Sequence, residues 1–233
     1  PDPTRHFLIE NSIFEPVKLK GRPTAATVGA VDPPMPQDRP FILYAGTFEV
    51  YQGLDTLLRA FAKAHPACPE AMLVLIGGTA AQVERLKSEA AALGIGPHVE
   101  VLGRMPQAVA ARYTKAARVL VSPRSHGTNT PLKIYEQLAS GVPLVATRIL
   151  SHTQVLDGDV AFLVDPEPET MAAGLVRALT DEAARMQVVA NAKKLYETAY
   201  SRPVYEAKMR AVLERLGASE PARRQPVASH GKT

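Results

Sequence analysis

The sequence has 233 residues, a net charge of +4, 46% hydrophobic residues and a single cysteine, Cys68. This composition indicates one large or two small globular domains, and the lone cysteine excludes a disulfide framework and a cysteine-based zinc site. The charge is too small to indicate nucleic-acid binding, and no segment approaches the roughly 20 consecutive apolar residues that span a bilayer. We therefore expect a cytoplasmic protein whose small basic excess suits contact with the inner face of a membrane.

The secondary-structure elements are predicted in chain order from short apolar runs that alternate with helical patterns, as in βα units. Residues 1–39 are irregular and rich in proline, with one short candidate strand at 7–9. Candidate strands follow at 41–46, 71–77, 98–103, 118–123, 143–147 and 160–165. Candidate helices cover 53–65, 80–94, 106–117, 131–140, 151–157, 168–180, 182–199 and 203–216. Residues 217–233 have the composition of a disordered tail.

The candidate strands lack alternation between polar and apolar residues, as expected for strands that helices cover on both faces. The pattern predicts an α/β fold for residues 40–216, with a doubly wound, mainly parallel, six-stranded sheet of the Rossmann-like type. Ligands of such sheets bind beyond the carboxyl ends of the strands. The loops expected to carry a site are therefore those at 46–53, 77–80, 103–106, 123–131 and 147–153.

The first of these loops, GTFEVYQG (46–53), has one glycine after the first strand and another where the next helix opens. Glycine allows the backbone to approach a phosphate closely. The loop matches neither the G-x-G-x-x-G fingerprint nor a P-loop, which argues against a dinucleotide oxidoreductase and against an NTPase. Ordinary turn glycines explain the same pattern equally well.

The segment SPRSHGTNTPLKIYEQLASG (122–141) carries a polar loop into a helix. Thr130 followed by Pro131 predicts an N-cap and a first helical residue, and such a helix start would offer N–H groups and the positive end of its dipole to an anion. Helical spacing places Leu132, Ile134, Tyr135, Leu138 and Ala139 on an apolar arc, and Lys133, Glu136, Gln137 and Ser140 on a polar arc. The pattern alone favours a solvated polar face with a weak ion pair between Lys133 and Glu136.

The sequence gives little support for a histidine-dependent hydrolase site or a histidine metal site. Ser125 and His126 are adjacent in the polar loop, but no third member of a hydrolase triad is identifiable. The remaining histidines, at positions 6, 65, 98, 152 and 230, show no metal-binding spacing. We expect them to be loop or surface residues, and we expect no metal site.

Several motifs together resemble a known family. GTFEVYQGLDTLLRAF, LVLIGG and the run from VEVLG to PLVAT have the order and intervals of the C-terminal, donor-binding half of retaining GT-B glycosyltransferases of family 4, also called group 1. The resemblance covers about residues 41–216, and HFLIENSIF (6–14) resembles the segment by which such enzymes leave their first domain. It implies a UDP- or GDP-linked sugar as donor, an acceptor sugar or lipid, and no cofactor. It also implies a missing N-terminal GT-B domain, without which the chain would be inactive.

The resemblance further implies a role for each loop. Glu136 would contact the ribose of the nucleotide, and Gly46 would lie close to the phosphates and the acceptor. The pyrophosphate and sugar would be held by Gly127, Thr128, Asn129, Thr130, Pro131 and Leu132. The base would be framed by Gly103, Arg104 and Met105.

Three positions depart from the family pattern. Thr128 stands eight positions before Glu136, where the family often has a second glutamate. Thr47 and Gln52 stand where the family often has an arginine and a lysine that face the diphosphate leaving group. Arg124 and Lys133 lie in the other phosphate-facing loop and would supply the missing charge, so that these two residues and Glu136 are the candidate catalytic residues.

Two alternatives remain open at this point. A nucleotide-sugar epimerase of the GT-B type would share the donor-binding half and carry its catalytic acids in the missing domain. A non-catalytic nucleotide-sugar-binding module would explain the loss of the arginine and lysine at positions 47 and 52.

Overall fold

A six-stranded parallel sheet forms the centre of the molecule. The structure is a computed structural model and describes residues 38–215 together with Ile9, Met35 and Pro36. The strands are β1 (Phe41–Ala45), β2 (Met72–Ile76), β3 (Val99–Gly103), β4 (Val119–Ser122), β5 (Leu144–Thr147) and β6 (Phe162–Val164). Their order across the sheet is β3-β2-β1-β4-β5-β6, and every neighbouring pair is parallel. The predicted doubly wound α/β fold is confirmed.

In residues 38–215, eight α-helices connect and follow the strands. They are α1 (Leu54–Ala64), α2 (Ala80–Ala92), α3 (Gln107–Ala116), α4 (Lys133–Ala139), α5 (Leu150–Thr153), α6 (Pro168–Thr180), α7 (Glu182–Leu195) and α8 (Arg202–Arg215). A π-helical turn, Tyr196–Tyr200, continues α7. Within the described part of the chain, no helix is long and apolar enough to cross a membrane.

The core consists of two hydrophobic layers, one on each face of the sheet. Helices α1, α2 and α6 pack on the face that holds Ile42 and Tyr44, whereas α3 and α4 pack on the face that holds Phe41 and Leu43. This division follows from the alternation of side chains along a strand. Both faces of β1 are therefore buried, which explains its continuous apolar sequence.

The strands and helices predicted after residue 40 form, with differences at their ends, of which the largest is in α5, where the helix ends at Thr153 instead of residue 157. Each strand is shorter than its apolar run, and the final stretch of the predicted helix 182–199 is the π-helical turn. Gly94 follows α2 with a positive φ of 73°, as expected for the residue that ends a helix. The candidate strand at 7–9 falls, apart from Ile9, outside the described residues, as does the tail at 217–233.

The predicted start of α4 is wrong by two residues. The helix begins at Lys133, and its N-cap position is Leu132, which makes no side-chain cap hydrogen bond. Thr130 does not cap the helix, because its Oγ1 donates to Gln154 Oε1 at 2.8 Å. Two positions of the predicted apolar arc face solvent: Leu132, which precedes the helix, is 55% exposed, and Ala139 is also exposed.

Candidate functional site

Two loops meet at the carboxyl edge of the sheet and define the candidate site. They follow β1 (residues 46–53) and β4 (residues 123–132). The backbone N and the Oγ of Ser125 both donate to the Tyr51 carbonyl, at 2.9 and 3.2 Å. Gly53 has φ of 71°, and a Cβ placed there would lie 2.1 Å from the Pro123 carbonyl oxygen. Only glycine therefore allows the two loops to approach this closely.

The side chain of Lys133 reaches the inner part of this edge. Its Nζ is buried, lies 4.4 Å from the centre of the Tyr44 ring, and has no hydrogen-bond partner among the described residues. A Cβ built on Gly46 would lie 3.5 Å from the same Nζ, so the ammonium is beside the glycine that follows β1. The prediction of a solvated lysine paired with Glu136 is wrong for Lys133, because Tyr44 and the β1 loop cover this side chain.

Burial changes the protonation of Lys133. Desolvation, with a smaller contribution from the positive charge of Arg124, lowers the pKa of Lys133 to about 7. The cation–π contact with Tyr44 offsets only part of the lost hydration. An anion beside Nζ would favour the protonated form, so this site is suited to binding a negative charge.

Arg124 is the second cation of the site. Its guanidinium lies 5.0 Å from the centre of the Tyr51 ring, and its Nη1 donates to the Asn129 carbonyl at 3.1 Å. A methyl group at Gly127 would lie 2.8 Å from the guanidinium carbon, so the loop folds closely around this side chain. The Nε of Arg124 is buried without a hydrogen-bond partner in the described part of the chain.

Thr47 and Gln52, the two positions that depart from the family pattern, contact each other. Gln52 Nε2 donates to Thr47 Oγ1 at 3.3 Å, and the Tyr44 hydroxyl donates to the Thr47 carbonyl at 2.7 Å. The β1 loop therefore carries a neutral pair beside the site. Both cations close to the site, Arg124 and Lys133, come from the segment after β4.

The remaining predicted site residues lie around this centre. Gly77 N donates to the Gly103 carbonyl at 2.6 Å, and Gly46 N donates to the Ile76 carbonyl at 3.0 Å, so the ends of β1, β2 and β3 are adjacent. Arg104 is exposed, and Met105 packs against the hydrophobic layer on the α3 side. A cavity of about 550 Å³ is lined by Gly78, Thr79, Gly103, Arg104 and neighbouring residues of α2 and β3.

Glu136 and Thr128 face solvent. Glu136 is exposed in the first turn of α4, and no described residue forms a hydrogen bond with its carboxylate. Thr128 is exposed, and its carbonyl accepts a hydrogen bond from Gln154 Nε2 at 3.1 Å. The structure thus brings together Gly46, Arg124, Gly127, Asn129 and Lys133. The carboxylate of Glu136 lies outside this group and is exposed to solvent.

Ser125 and His126 do not form a catalytic triad. Ser125 Oγ lies 2.9 Å from His126 Nδ1, but the histidine ring is exposed and packs edge-on against Tyr51. No carboxylate of the described residues is hydrogen-bonded to His126. Residues 38–215 likewise contain no group of three His, Cys, Asp or Glu side chains that could hold a metal ion.

A buried histidine beneath the β4 loop was not anticipated from the sequence. His152 is fully buried, with Nε2 at 3.1 Å from Ser122 Oγ and Nδ1 at 2.8 Å from the Thr147 carbonyl oxygen. Burial is the main cause that lowers its pKa to about 4, so the ring is neutral at physiological pH. His152 was expected to be a loop or surface residue, but it lies in α5, and helical periodicity does not reveal which residues of so short a helix a neighbouring loop covers.

Comparison with known proteins places the chain in a family. The family described as "Glycosyl transferases group 1" matches residues 31–195. The chain belongs to the group 1 glycosyl transferases. It is 32% identical over 167 residues to the D-inositol 3-phosphate glycosyltransferase of Acidothermus cellulolyticus, a match that covers 68% of this chain and 37% of that protein.

Solved structures of group 1 glycosyl transferases and related proteins share the fold of this chain. Sucrose-phosphate synthase from Thermosynechococcus elongatus matches with a TM-score of 0.68 and 25% identity, over 80% of this chain and 47% of that one. Anabaena HepE, solved in complex with UDP-glucose, matches with a TM-score of 0.66 and 17% identity, over 78% of this chain and 50% of that one. The chain thus spans about 40% of the curated relatives that it matches, and about half of these structures.

Proposed function

We propose that this chain is the donor-binding half of a retaining group 1 glycosyltransferase. It would hold a UDP- or GDP-linked sugar at the carboxyl edge of the sheet, for transfer to an acceptor sugar or lipid in glycan, polysaccharide or glycolipid synthesis. The observation that carries this proposal is the buried Nζ of Lys133, which lies beside Gly46 with Arg124 nearby and has no hydrogen-bond partner in the part of the chain that the structure describes. HepE, which has the same fold, was solved with a nucleotide sugar, and this supports the proposed class of ligand.

The chemistry of sugar transfer explains why cations belong at this position. Departure of the nucleoside diphosphate places negative charge on the oxygen that leaves the sugar. Preorganised positive groups in a water-poor site stabilise that charge most strongly. Lys133 and Arg124 would supply this stabilisation, and the proposal requires no side-chain nucleophile, metal or cofactor from this chain.

The β1 loop carries the neutral Thr47–Gln52 pair, so in this proposal the positive charge of the site comes from Arg124 and Lys133. A buried cation without a counter-ion is unfavourable and is retained only where something else compensates it. The diphosphate of a nucleotide sugar would provide that compensation for Lys133. In this proposal the segment after β4 supplies both charges that the resemblance assigns to the β1 loop.

The other roles follow from position in the two loops. The exposed carboxylate of Glu136 would accept hydrogen bonds from the ribose hydroxyls. The backbone from Gly127 to Leu132 would line the pyrophosphate and sugar. The strand-end segment from Gly103 to Met105 would frame the base. Because α4 has only seven residues, we assign the phosphate contact to the Lys133 side chain rather than to the helix dipole.

The acceptor site is proposed to come from a second GT-B domain. The matched relatives are much longer than this chain, which spans 37% of the Acidothermus protein. Helix α8 has no buried residue among its 14, and we propose that it lies next to such a domain. The small basic excess would also permit peripheral contact of the complete protein with the inner face of a membrane.

Isothermal titration calorimetry with UDP-glucose, GDP-mannose and ADP-glucose tests the proposal. We expect one of these donors to bind the wild-type chain, and Lys133→Ala to weaken that binding at least about tenfold, as for loss of a charge-assisted contact. Lys193→Ala is the matched control, because Lys193 is an exposed lysine on α7. Unchanged affinity in Lys133→Ala would contradict the assigned role.

A second candidate function is a nucleotide-sugar-binding module without transferase activity. The neutral hydrogen-bonded pair of Thr47 and Gln52 favours it, because two cations that would assist the leaving group are replaced. A product assay on the protein that contains both GT-B domains distinguishes the two functions. Sugar transfer to an acceptor excludes the module, whereas donor binding without transfer or hydrolysis supports it.

A further inference from the structure

Two residues near the end of β5, Thr147 in the strand and Gln154 just after α5, hold the loop 124–130 in place. Thr147 Oγ1 donates to the Arg124 carbonyl at 2.5 Å. Gln154 Nε2 donates to the Thr128 carbonyl at 3.1 Å, and Gln154 Oε1 accepts from Thr130 Oγ1 at 2.8 Å. These bonds hold the loop at Arg124, at Thr128 and at Thr130, which is three residues before Lys133.

His152 in turn fixes Thr147. The Thr147 hydroxyl gives its only proton to the Arg124 carbonyl, so towards His152 Nδ1, at 3.1 Å, this oxygen acts as an acceptor. Nδ1 also lies 2.8 Å from the Thr147 carbonyl oxygen, which accepts as well. Nδ1 therefore carries the proton, and the bare Nε2 accepts from the Ser122 hydroxyl at 3.1 Å. One tautomer satisfies every contact of the buried ring.

The hydrogen bonds that hold the loop also determine where Arg124 and Lys133 lie. Arg124 is held within the same loop by its bond to the Asn129 carbonyl, so a shift of the loop backbone would move the guanidinium. Lys133 follows Thr130 by three residues, at the first position of α4. Displacements of about 1 Å at such positions are enough to weaken charge stabilisation substantially.

We propose that Thr147, His152 and Gln154 are positioning residues, which hold the loop 124–130 so that Arg124 and Lys133 meet the diphosphate of the donor. This inference rests on the proposed function. None of the three side chains adds a charge to the site. Their contribution is the geometry of a loop whose own sequence, RSHGTNT, has little apolar surface to anchor it.

The test compares donor binding by matched threonine variants of the 233-residue chain. UDP-glucose or GDP-mannose is titrated, whichever the wild type binds, and affinity is expressed per folded molecule. We expect Thr147→Val to bind about tenfold more weakly, and Thr147→Ser, which keeps the hydroxyl, to bind as the wild type does. Thr153→Val is the control, because Thr153 Oγ1 bonds only to the Ile149 carbonyl within its own segment.

A second measurement, hydrogen–deuterium exchange without added nucleotide sugar, reports how firmly the loop is held. The Ser125 amide, bonded to the Tyr51 carbonyl, should exchange with deuterium faster in Thr147→Val and in Gln154→Ala than in Thr153→Val. Unchanged donor affinity in Thr147→Val, with wild-type exchange in the loop, would overturn the positioning role alone. A wild-type chain that binds none of the nucleotide sugars would refute the proposed function and, with it, the role assigned to these residues.

Discussion

Lys133 differs from an ordinary surface lysine in almost every aspect of its surroundings. Its ammonium is buried over an aromatic ring, has no hydrogen-bond acceptor among the described residues, and shares its neighbourhood with a second cation. Burial, the missing acceptor and the second cation disfavour the charged form, and the contact with the ring offsets only part of this effect. Binding of an anion reverses the balance, so donor binding and protonation of Lys133 should be coupled.

Donor affinity should therefore fall as the pH rises through neutrality. The pKa of Lys133 in the empty chain is about 7. Below this value the ammonium is already charged and binds the diphosphate directly. Above it a proton must first be taken up, which weakens binding by about tenfold between pH 6 and pH 8. Calorimetry with a nucleotide sugar in buffers of different ionisation enthalpy would measure the uptake, since the sugar diphosphate itself has no group that titrates in this range.

Lys133→Arg is the matched control for that experiment. A guanidinium remains protonated throughout the range, so the variant should bind the donor without proton uptake and with little dependence on pH. Proton uptake of the same size in this variant would show that another group is responsible. The buried histidine beneath the β4 loop, His152, does not titrate in this range, because its pKa is lowered to about 4.

The two loops of the site behave as one element because they are joined at Gly53 and Ser125. An alanine at position 53 would have to adopt the left-handed backbone conformation, which is strained for residues with a Cβ. Its Cβ would also lie 2.1 Å from the Pro123 carbonyl oxygen. We expect Gly53→Ala to lower the free energy of unfolding by about 2–4 kcal/mol. Donor affinity should fall as well, because the loops must separate.

Gly94→Ala provides the comparison for this prediction. Gly94 has φ of 73°, close to the 71° of Gly53, but a Cβ there would meet nothing within 4 Å. The alanine should therefore cost only the backbone strain, about 1–2 kcal/mol. Urea denaturation of both variants separates the two contributions, and equal losses would contradict the close approach of the loops.

The free energy of unfolding should also depend on the protonation of His152 at acidic pH. His152 is fully buried, and its pKa is lowered from 6.5 to about 4, mainly because burial disfavours the charged ring. A base with a lowered pKa in the folded state stabilises the fold above 6.5 and loses that contribution as the pH falls towards 4. The loss should reach about 3 kcal/mol relative to a variant without the histidine.

Denaturation of the wild type and of His152→Asn at pH 7.5, 5.5 and 4 measures this difference. The variant should be less stable at pH 7.5, because it loses the bonds to Ser122 and Thr147. The gap between the two proteins should narrow as the pH falls. A constant gap would mean that His152 titrates alike in the folded and unfolded states.

The elements were predictable from the sequence, whereas the contacts between loops were not. A strand such as β1 is recognisable because both its faces are buried and its sequence is uniformly apolar. Helical spacing correctly separated Ile134 and Leu138 from Glu136, but it could not show that Tyr44 covers Lys133. The cap at Thr130 was misplaced for the same reason: its hydroxyl is bonded to Gln154, 24 residues further along the chain.

At the scale of the whole molecule, the sheet order determines which loops can cooperate. Strands β1 and β4 are neighbours although 73 residues separate the end of β1 from the start of β4, and they lie between β2 and β5. This central pair is where the strand order reverses direction, the point at which ligands of doubly wound sheets bind. The two loops with the cations and the glycines follow these two strands. The position of the site is thus a consequence of topology.

The chain alone should bind a donor but should not transfer sugar. Its proposed contribution ends at the leaving group, and the acceptor site would require the second GT-B domain. An assay for glycosyl transfer with the 233-residue chain should give no product above background, and addition of the second domain in one polypeptide should produce it. Robust transfer by this chain alone would refute the proposal that the acceptor site comes from a second GT-B domain.

The most direct test of the central claim is a crystal structure of the chain with a bound nucleotide sugar, UDP-glucose or GDP-mannose. The account predicts the diphosphate at the carboxyl ends of β1 and β4, within hydrogen-bond distance of Lys133 Nζ and next to the backbone of Gly46, with the ribose at Glu136. A diphosphate bound away from Lys133, or a nucleotide seated on another face of the sheet, would contradict it.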